Sequence, residues 1–206
     1  TLGGDFVVAA RLVSVNGETL AAARETGSGA EVIEAVDRLS ASLRERIGES
    51  LKTIRADAPL AQVTTPSTEA LRMYARADRA NELGDRRRAI GLLEDAIRED
   101  SAFAMAHRKL AVILSNENRE PERAQQAFTR AYELRDRLTE RERYLAVAAY
   151  YSYVTEDTEA SIDAYETLLE RYPSDPIALN NLGVNYRAVG RLADAEAIYR
   201  RAIVQG

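Results

Sequence analysis

Cysteine and tryptophan are absent from this 206-residue chain, and histidine occurs once. Without cysteine there are no disulfides and no thiolate-held metals, and the compartment stays open because a long helical domain requires neither. The single histidine, His107, has no companion at H-E-x-x-H spacing, so neither zinc nor any other cofactor is expected. Basic charge is not in excess: 28 Lys and Arg against 33 Asp and Glu give a formal net charge of −5. That balance offers no general attraction to a phosphate backbone, and a nucleic-acid partner is not expected. No apolar run approaches the roughly eighteen residues of a membrane span. Residues 1–6 hold no initiator Met, no basic n-region and no signal-like apolar core, which reads as a piece of a longer protein. What remains, 46% hydrophobic and 30% charged residues, argues against wholesale disorder and for a soluble fold with a substantial core.

The tail carries the clearest pattern. Leu182-Gly183-Val184-Asn185-Tyr186 is followed by Gly190, Ala195, Tyr199 and Ala202. These spacings match the tetratricopeptide pattern of about 34 residues, L-G-x2-Y then A-x3-F, with Tyr in the aromatic slot, and the tail resembles that family. Such a repeat is an antiparallel helix pair that cannot bury its apolar face alone and stacks on copies of itself. Pro176 is then position 1, just inside the helix start, with Ser174 or Asp175 available as the cap. Gly190 ends the first helix, and Gly183 and Ala195 are small where the paired helices cross.

The same period, counted upstream, starts further units at Glu142, Ala104 and Ala70. The unit at Glu142 has Leu145, Ala148, Ala149 and Ser152 on its first helix and Ser161, Tyr165 and Leu168 on its second. Thr139 and Glu142 read as a capping box. Ser161 takes a slot usually held by Ala, and its hydroxyl is expected to bond back to the preceding turn. The unit at Ala104 places Leu110, Ala111 and Leu114 opposite Ala124, Phe128 and Ala131. Its step to Glu142 is four residues longer than the others, one in the turn at 118–121 and three in the second helix or the loop at 135–138. In the unit at Ala70, Met73, Ala77 and Ala80 face Ala89, Leu93 and Ala96 across a Gly84 turn. Thr65 and Pro66 read as its cap and first helical residue.

The first sixty residues follow another rule. Residues 6–15 and 18–26 read as strands, with Asn16-Gly17 as a two-residue hairpin turn. Ser28 and Glu31 have capping-box spacing, and Val32, Val36, Leu39, Leu43, Ile47 and Leu51 trace an apolar helical stripe. The expected fold is therefore mostly α: a right-handed tetratricopeptide superhelix of about four helix pairs, preceded by a β-hairpin and a long amphipathic helix. Its expected parts are a partial α/β domain at 1–55, a connector at 56–68 and the solenoid at 69–206. The units fall at about 70–103, 104–141, 142–175 and 176–206. The last ends on Ile203-Val204 without a polar capping helix, which reads as an interior slice of a longer array or a face that another chain covers.

Beyond the repeats, the chain resembles the scaffold region of large bacterial signalling proteins. The phrases that carry this are Ala9-Ala10-Arg11-Leu12-Val13, Leu60-Ala61-Gln62-Val63-Thr64-Thr65-Pro66 and Glu133-Leu134-Arg135-Asp136-Arg137-Leu138-Thr139-Glu140-Arg141. In that group a serine/threonine kinase, adenylate cyclase or winged-helix DNA-binding domain precedes a small α/β domain and tetratricopeptide repeats. The resemblance implies regulatory interaction by this region, with catalysis elsewhere. The kinase glycine loop and the His-Arg-Asp and Asp-Phe-Gly motifs are missing from this chain.

Ligands of such solenoids lie in the concave groove of the first helices. The residues at those positions whose types anchor interfaces are Tyr74, Arg108, Asn116, Arg143, Tyr150, Tyr153, Asn180 and Arg187. The plain alternatives are a solvated face for the groove and packing for the tyrosines. A carboxylate clamp is disfavoured because Asp78 and Val184 stand where it wants Asn. Arg86-Arg87-Arg88 reads as a charged helix exterior. The function expected is a non-catalytic protein-interaction or regulatory scaffold with a protein or peptide partner. The alternatives are self-association of the parent protein and, a distant third, an enzyme pocket where the α/β part meets the repeats, for which no nucleophile–base–acid set stands out. The cytoplasm is the favoured location, with either side of a membrane open to the parent.

Overall fold

The computed structural model describes residues 5–14, 16–46, 64–118 and 120–205. The chain divides into two compact units, 1–72 and 73–206. In the first, strands β1 (Asp5–Val13) and β2 (Thr19–Ser28) pair antiparallel, Asp5 opposite Ser28, with an irregularity between Leu12 and Val13. The hairpin does not close on the two-residue Asn16-Gly17 turn. Ser14 N–H donates to Glu18 O at 2.8 Å and leaves a three-residue loop with Gly17 at φ +83°. Three-residue loops of this kind need a left-handed residue near their end, which Gly supplies without steric cost.

A single 3-10 turn (Gly29–Glu31) leads into helix α1 (Val32–Arg46). The Glu31 carboxylate accepts from Ser28 N–H at 3.0 Å, as the capping spacing predicts. That bond and a second from the Ser28 hydroxyl hold its pKa below the usual carboxylate range. The buried face of α1 is centred on Ile33, Ala35 and Leu39, with Val32, Val36 and Leu43 half-buried beside it, and Ala21 and Ala23 of β2 are buried in the same unit. The buried face is thus wider than the stripe of Val32, Val36, Leu39 and Leu43 predicts, and that stripe's last members, Ile47 and Leu51, lie outside the described residues, as does the connector up to 63.

Helix α2 (Thr68–Glu82) starts two residues later than Thr65-Pro66 predicts, because Ser67 is the cap: its Oγ accepts from Ala70 N–H at 3.1 Å. Thr65 Oγ1 instead accepts from Ser67 N–H. There follow α3 (Arg86–Glu99), α4 (Ala104–Glu117), α5 (Pro121–Glu133), a 3-10 turn (Arg135–Arg137), α6 (Glu140–Tyr150), α7 (Thr158–Arg171), α8 (Pro176–Ala188) and α9 (Leu192–Gln205). From α3 to α9 each helix packs on the next, so every second helix of a pair is shared between two neighbours. The result is a mostly α solenoid of stacked helix pairs preceded by a hairpin and a long helix.

Turn chemistry sets the joints. Asp85, Asp157 and Asp175 cap α3, α7 and α8 through side-chain oxygens that accept the N–H of Arg88, Ala160 and Ala178. Gly84 and Gly190 take left-handed torsions (φ +80° and +78°) at the ends of first helices. The extra residues after α5 form the 3-10 turn at Arg135–Arg137, and Leu138 is buried against Ala104 and Ala146. Arg119, in the other lengthened turn, lies outside the described residues.

The third pair departs from the period. Between α6 and α7 the chain makes a five-residue π turn (Tyr151–Thr155), ended by Glu156 at φ +56°. A π turn holds one residue more than an α turn, so the α6 positions just upstream of it are displaced by one from the count made from downstream. Ser161 does not bond back along its own helix. Its Oγ donates to Ala148 O of α6 at 3.0 Å, lies 2.7 Å from Ser152 Oγ and accepts from Asn185 Nδ2 of α8 at 2.8 Å. The hydroxyl that replaces Ala therefore ties three helices together at the base of the π turn.

Candidate functional site

The first helices α4, α6 and α8 flank a concavity of about 380 Å³. Each contributes one row: Arg108, Val112, Ser115 and Asn116 from α4, Leu145 and Ala149 from α6 with Tyr153 from the π turn, and Ile177, Asn180 and Asn181 from α8. Its back wall is aromatic, with Phe128 from α5 and Tyr165 from α7. Those two occupy the aromatic slots of their units, where sequence reasoning saw only packing. Tyr153 stacks on Phe128, centroids 4.8 Å apart and planes within 5°, while 45% of its surface stays open. An adjoining depression of about 560 Å³ shares Ser115, Asn116, Phe128 and Tyr153, so Tyr153 stands between the two hollows.

The π turn explains which residues reach this face. The repeat count places Ala146, Tyr150 and Tyr153 on the groove side of the third pair. With α6 displaced by one, Leu145 and Ala149 take the first two places and only Tyr153, within the π turn, keeps its own. Ala146 is buried against Ala104 and Leu138 instead. Tyr150 stacks on Tyr132 of α5 at 4.1 Å, outside the concavity. Arg143 lies over the Tyr144 ring at 5.9 Å, beside a separate depression lined by Arg135, Tyr151 and Asp163. Arg187 lines a fourth hollow with Leu192, Tyr199 and Ile203. Tyr74 is half-buried with its ring 5.2 Å from Phe103, and burial pushes its hydroxyl up to about 12. Of the predicted set, Arg108, Asn116, Tyr153 and Asn180 come together in one hollow.

The electrostatics of that hollow were not legible in the residue types. Arg108 Nη2 lies 2.7 Å from Glu142 Oε2, each side chain 13% exposed. Thr139 Oγ1 accepts from Glu142 N–H at 3.4 Å, but the Glu142 side chain does not return to complete the capping box. It takes Arg141 Nη1 on Oε1 at 3.1 Å and faces Arg108 with Oε2. Arg141 Nε in turn donates to Asp175 Oδ2 at 2.5 Å, the carboxylate that caps α8. A chain of alternating charges thus links the starts of α6 and α8 to Arg108 on α4. Deeper in, Asn181 Nδ2 donates to Tyr165 OH at 3.0 Å and its Oδ1 accepts from Asn180 Nδ2 at 3.1 Å. Tyr165 is 2% exposed, and burial raises its hydroxyl to about 12, so it is a neutral partner at physiological pH.

The remaining candidates resolve into structure. His107 places Nε2 3.0 Å from Ser101 O, and burial lowers its pKa. Arg86, Arg87 and Arg88 are exposed at the start of α3, with Arg86 paired to Glu117 at 2.9 Å. Among the described residues no group of three metal-ligating side chains occurs, and no helix is long and apolar enough to cross a membrane.

A tetratricopeptide repeat family model matches residues 74–137 and 147–206, together more than half of the chain. The gap between the two matches falls on the 3-10 turn's exit and the first part of α6, where the period is broken. No curated protein sequence matches the chain. Among solved structures, the crystal structure of MamA is 18% identical, covering 85% of this chain and 91% of that one, with a TM-score of 0.46. The crystal structure of the APC/C hetero-tetramer Cut9-Hcn1 is 19% identical, covering 66% and 25%, with a TM-score of 0.52. The first TPR of Spaghetti (RPAP3), bound to the HSP90 peptide SRMEEVD, is 19% identical, covering 60% and 94%, with a TM-score of 0.47. At these identities the likeness is one of fold.

Proposed function

The chain belongs to the tetratricopeptide repeat family, and from that membership we propose a protein-interaction scaffold whose groove across α4, α6 and α8 holds a peptide or a domain. The observation that carries the groove is its exposed apolar surface. Tyr153 and Ile177, 45% and 40% exposed, line the concavity together with the amides of Asn116 and Asn180. Aromatic and aliphatic side chains left open in a concavity with amides at its rim are what interface cores are made of.

Pull-down from the native cell extract tests this. A partner should be retained by the wild type and by an Arg143→Ala, Tyr150→Ala double variant, and lost by Tyr153→Ala with Asn180→Ala. Equal recovery by both pairs would remove the groove assignment.

The resemblance to bacterial serine/threonine kinase or adenylate cyclase type proteins supports placing this region as their regulatory arm, in the cytoplasm, with residues 1–55 as part of a small α/β domain. Sequencing the gene around the region decides that: a catalytic domain of either type in the same reading frame is the expected result.

Self-association is a second reading, favoured by the apolar face of α9. Leu192, Ile203 and Val204 are 66%, 80% and 86% exposed there. Light scattering over a concentration range should then show a dimer that Ile203→Lys abolishes.

A further inference from the structure

We propose, on the reading that the groove holds a peptide, that its ligand is an uncharged internal segment presenting a large apolar side chain, and not an acidic motif or a free chain end. The charge of the site decides this. Of the described residues lining the concavity, Arg108 alone is ionic at neutral pH. Its guanidinium is already matched by Glu142 at 2.7 Å, with both side chains 13% exposed. An incoming carboxylate would have to displace Glu142 or stand beside it. Either course crowds two carboxylates around one guanidinium in a partly desolvated site, and like charges held that close repel each other. The near-buried pair instead presents a neutral rim.

The neutral lining has a definite complement. Side-chain amides each donate and accept, which is the hydrogen-bonding grammar of a peptide backbone, and Asn116 and Asn180 stand exposed on opposite walls. Tyr153 supplies the apolar part: one face is occupied by Phe128 and the other surface is open. The π turn fixes that position. A ligand side chain entering either hollow meets the same ring, so an aromatic or branched aliphatic residue gains most.

Peptide display in two formats tests the proposal with random dodecapeptides: one library fused at both ends, the other with free C-termini. Hits are resynthesised with a fluorescein label, as C-terminal acid and as amide, and titrated by fluorescence polarisation. The expected hits come from both libraries, carry Phe, Tyr, Leu or Ile and few Asp or Glu, and bind alike as acid and amide. Tyr153→Ala should weaken them at least about tenfold. Glu142→Gln, which releases the guanidinium, should make the acid form bind better than the amide. Hits that come only from free C-termini, or that are rich in Asp and Glu and lose binding on amidation, would overturn this ligand class while leaving the groove in use. Absence of any Tyr153-dependent hit from either library would overturn the groove reading itself and this inference with it. Acid and amide are compared first on the wild type, so the outcome does not rest on how well Glu142→Gln folds.

Discussion

Gly183 of α8 lies directly against the ring of Tyr199 of α9: a Cβ built on it would stand 2.5 Å from Cε1 and 2.6 Å from Cζ. The glycine of the tail motif is therefore a contact between paired helices and owes nothing to backbone freedom. Replacing a mid-helix Gly by Ala ordinarily gains about 1 kcal/mol of helix propensity. Here the added methyl overpacks the crossing, at a cost of about 1–3 kcal/mol, part of which the half-buried ring relieves by moving. Gly183→Ala should lower stability in urea by about 1 kcal/mol in the presence of Tyr199 and raise it when Tyr199→Ala is already in place. The sign reversal is the test; the same sign in both backgrounds would show that the ring is not what excludes the methyl.

Arg108 and Glu142 invite the opposite experiment, removal of a partner. Glu142→Ala leaves a guanidinium whose side chain is only 13% exposed, among lining residues that offer it no other carboxylate. Stranding a buried charge costs about 3 kcal/mol, whereas replacing both partners by apolar groups is often close to neutral. Chemical denaturation should therefore find Arg108→Met with Glu142→Leu markedly more stable than Glu142→Ala alone. A double variant no better than the single one would mean that the pair stabilises the fold beyond mutual neutralisation.

His107 gives a pH dependence with a definite sign. Burial is the main cause lowering its pKa, outweighing the bond to Ser101 O. The unfolded chain, with an ordinary pKa near 6.5, therefore takes up a proton before the folded one does. Stability is fully retained above that value and falls as pH drops from about 7 toward 5, while the unfolded state alone gains the proton. His107→Gln keeps an N–H at a similar reach and cannot titrate. The difference in urea midpoint between pH 7.5 and 5.5 should shrink in this variant, and an unchanged difference would assign the effect to other groups.

Most of the fold was written in short-range spacing. Gly84, Gly190, Ala89, Ala195 and Phe128 fall where their roles demand, because helix length, turn torsion and close crossing are set within one repeat. The site was half legible. Arg108 and Asn116 sit upstream of the irregular segment, and Asn180 sits downstream, so the count reaches them. Tyr150 and Arg143 sit on α6 itself, between the 3-10 turn and the π turn, and a one-residue excess inside a helix leaves no mark that periodicity can detect. The neutralisation of Arg108 was equally hidden. Glu142 read as half of a capping box, and only packing shows that its carboxylate turns toward α4.

Ser161 is where the irregularity can be tested energetically. The π turn interrupts the regular ladder of α6, and Ser161, fully buried, supplies a donor to Ala148 O while accepting from Asn185, itself 9% exposed. Ser161→Ala restores the residue usual at this slot in the family pattern, so a comparison with other repeats would forecast a neutral or favourable change. The local structure forecasts the reverse. It leaves the Asn185 amide short of a buried partner and takes one of two donors from Ala148 O, which keeps the Tyr151 N–H, at about 1–3 kcal/mol for the loss. Asn185→Ala in the same chain removes the stranded amide, so the double variant should cost less than the sum of the singles by about 1 kcal/mol. Urea unfolding of the four proteins measures that coupling. Strict additivity would mean that the two side chains share no bond.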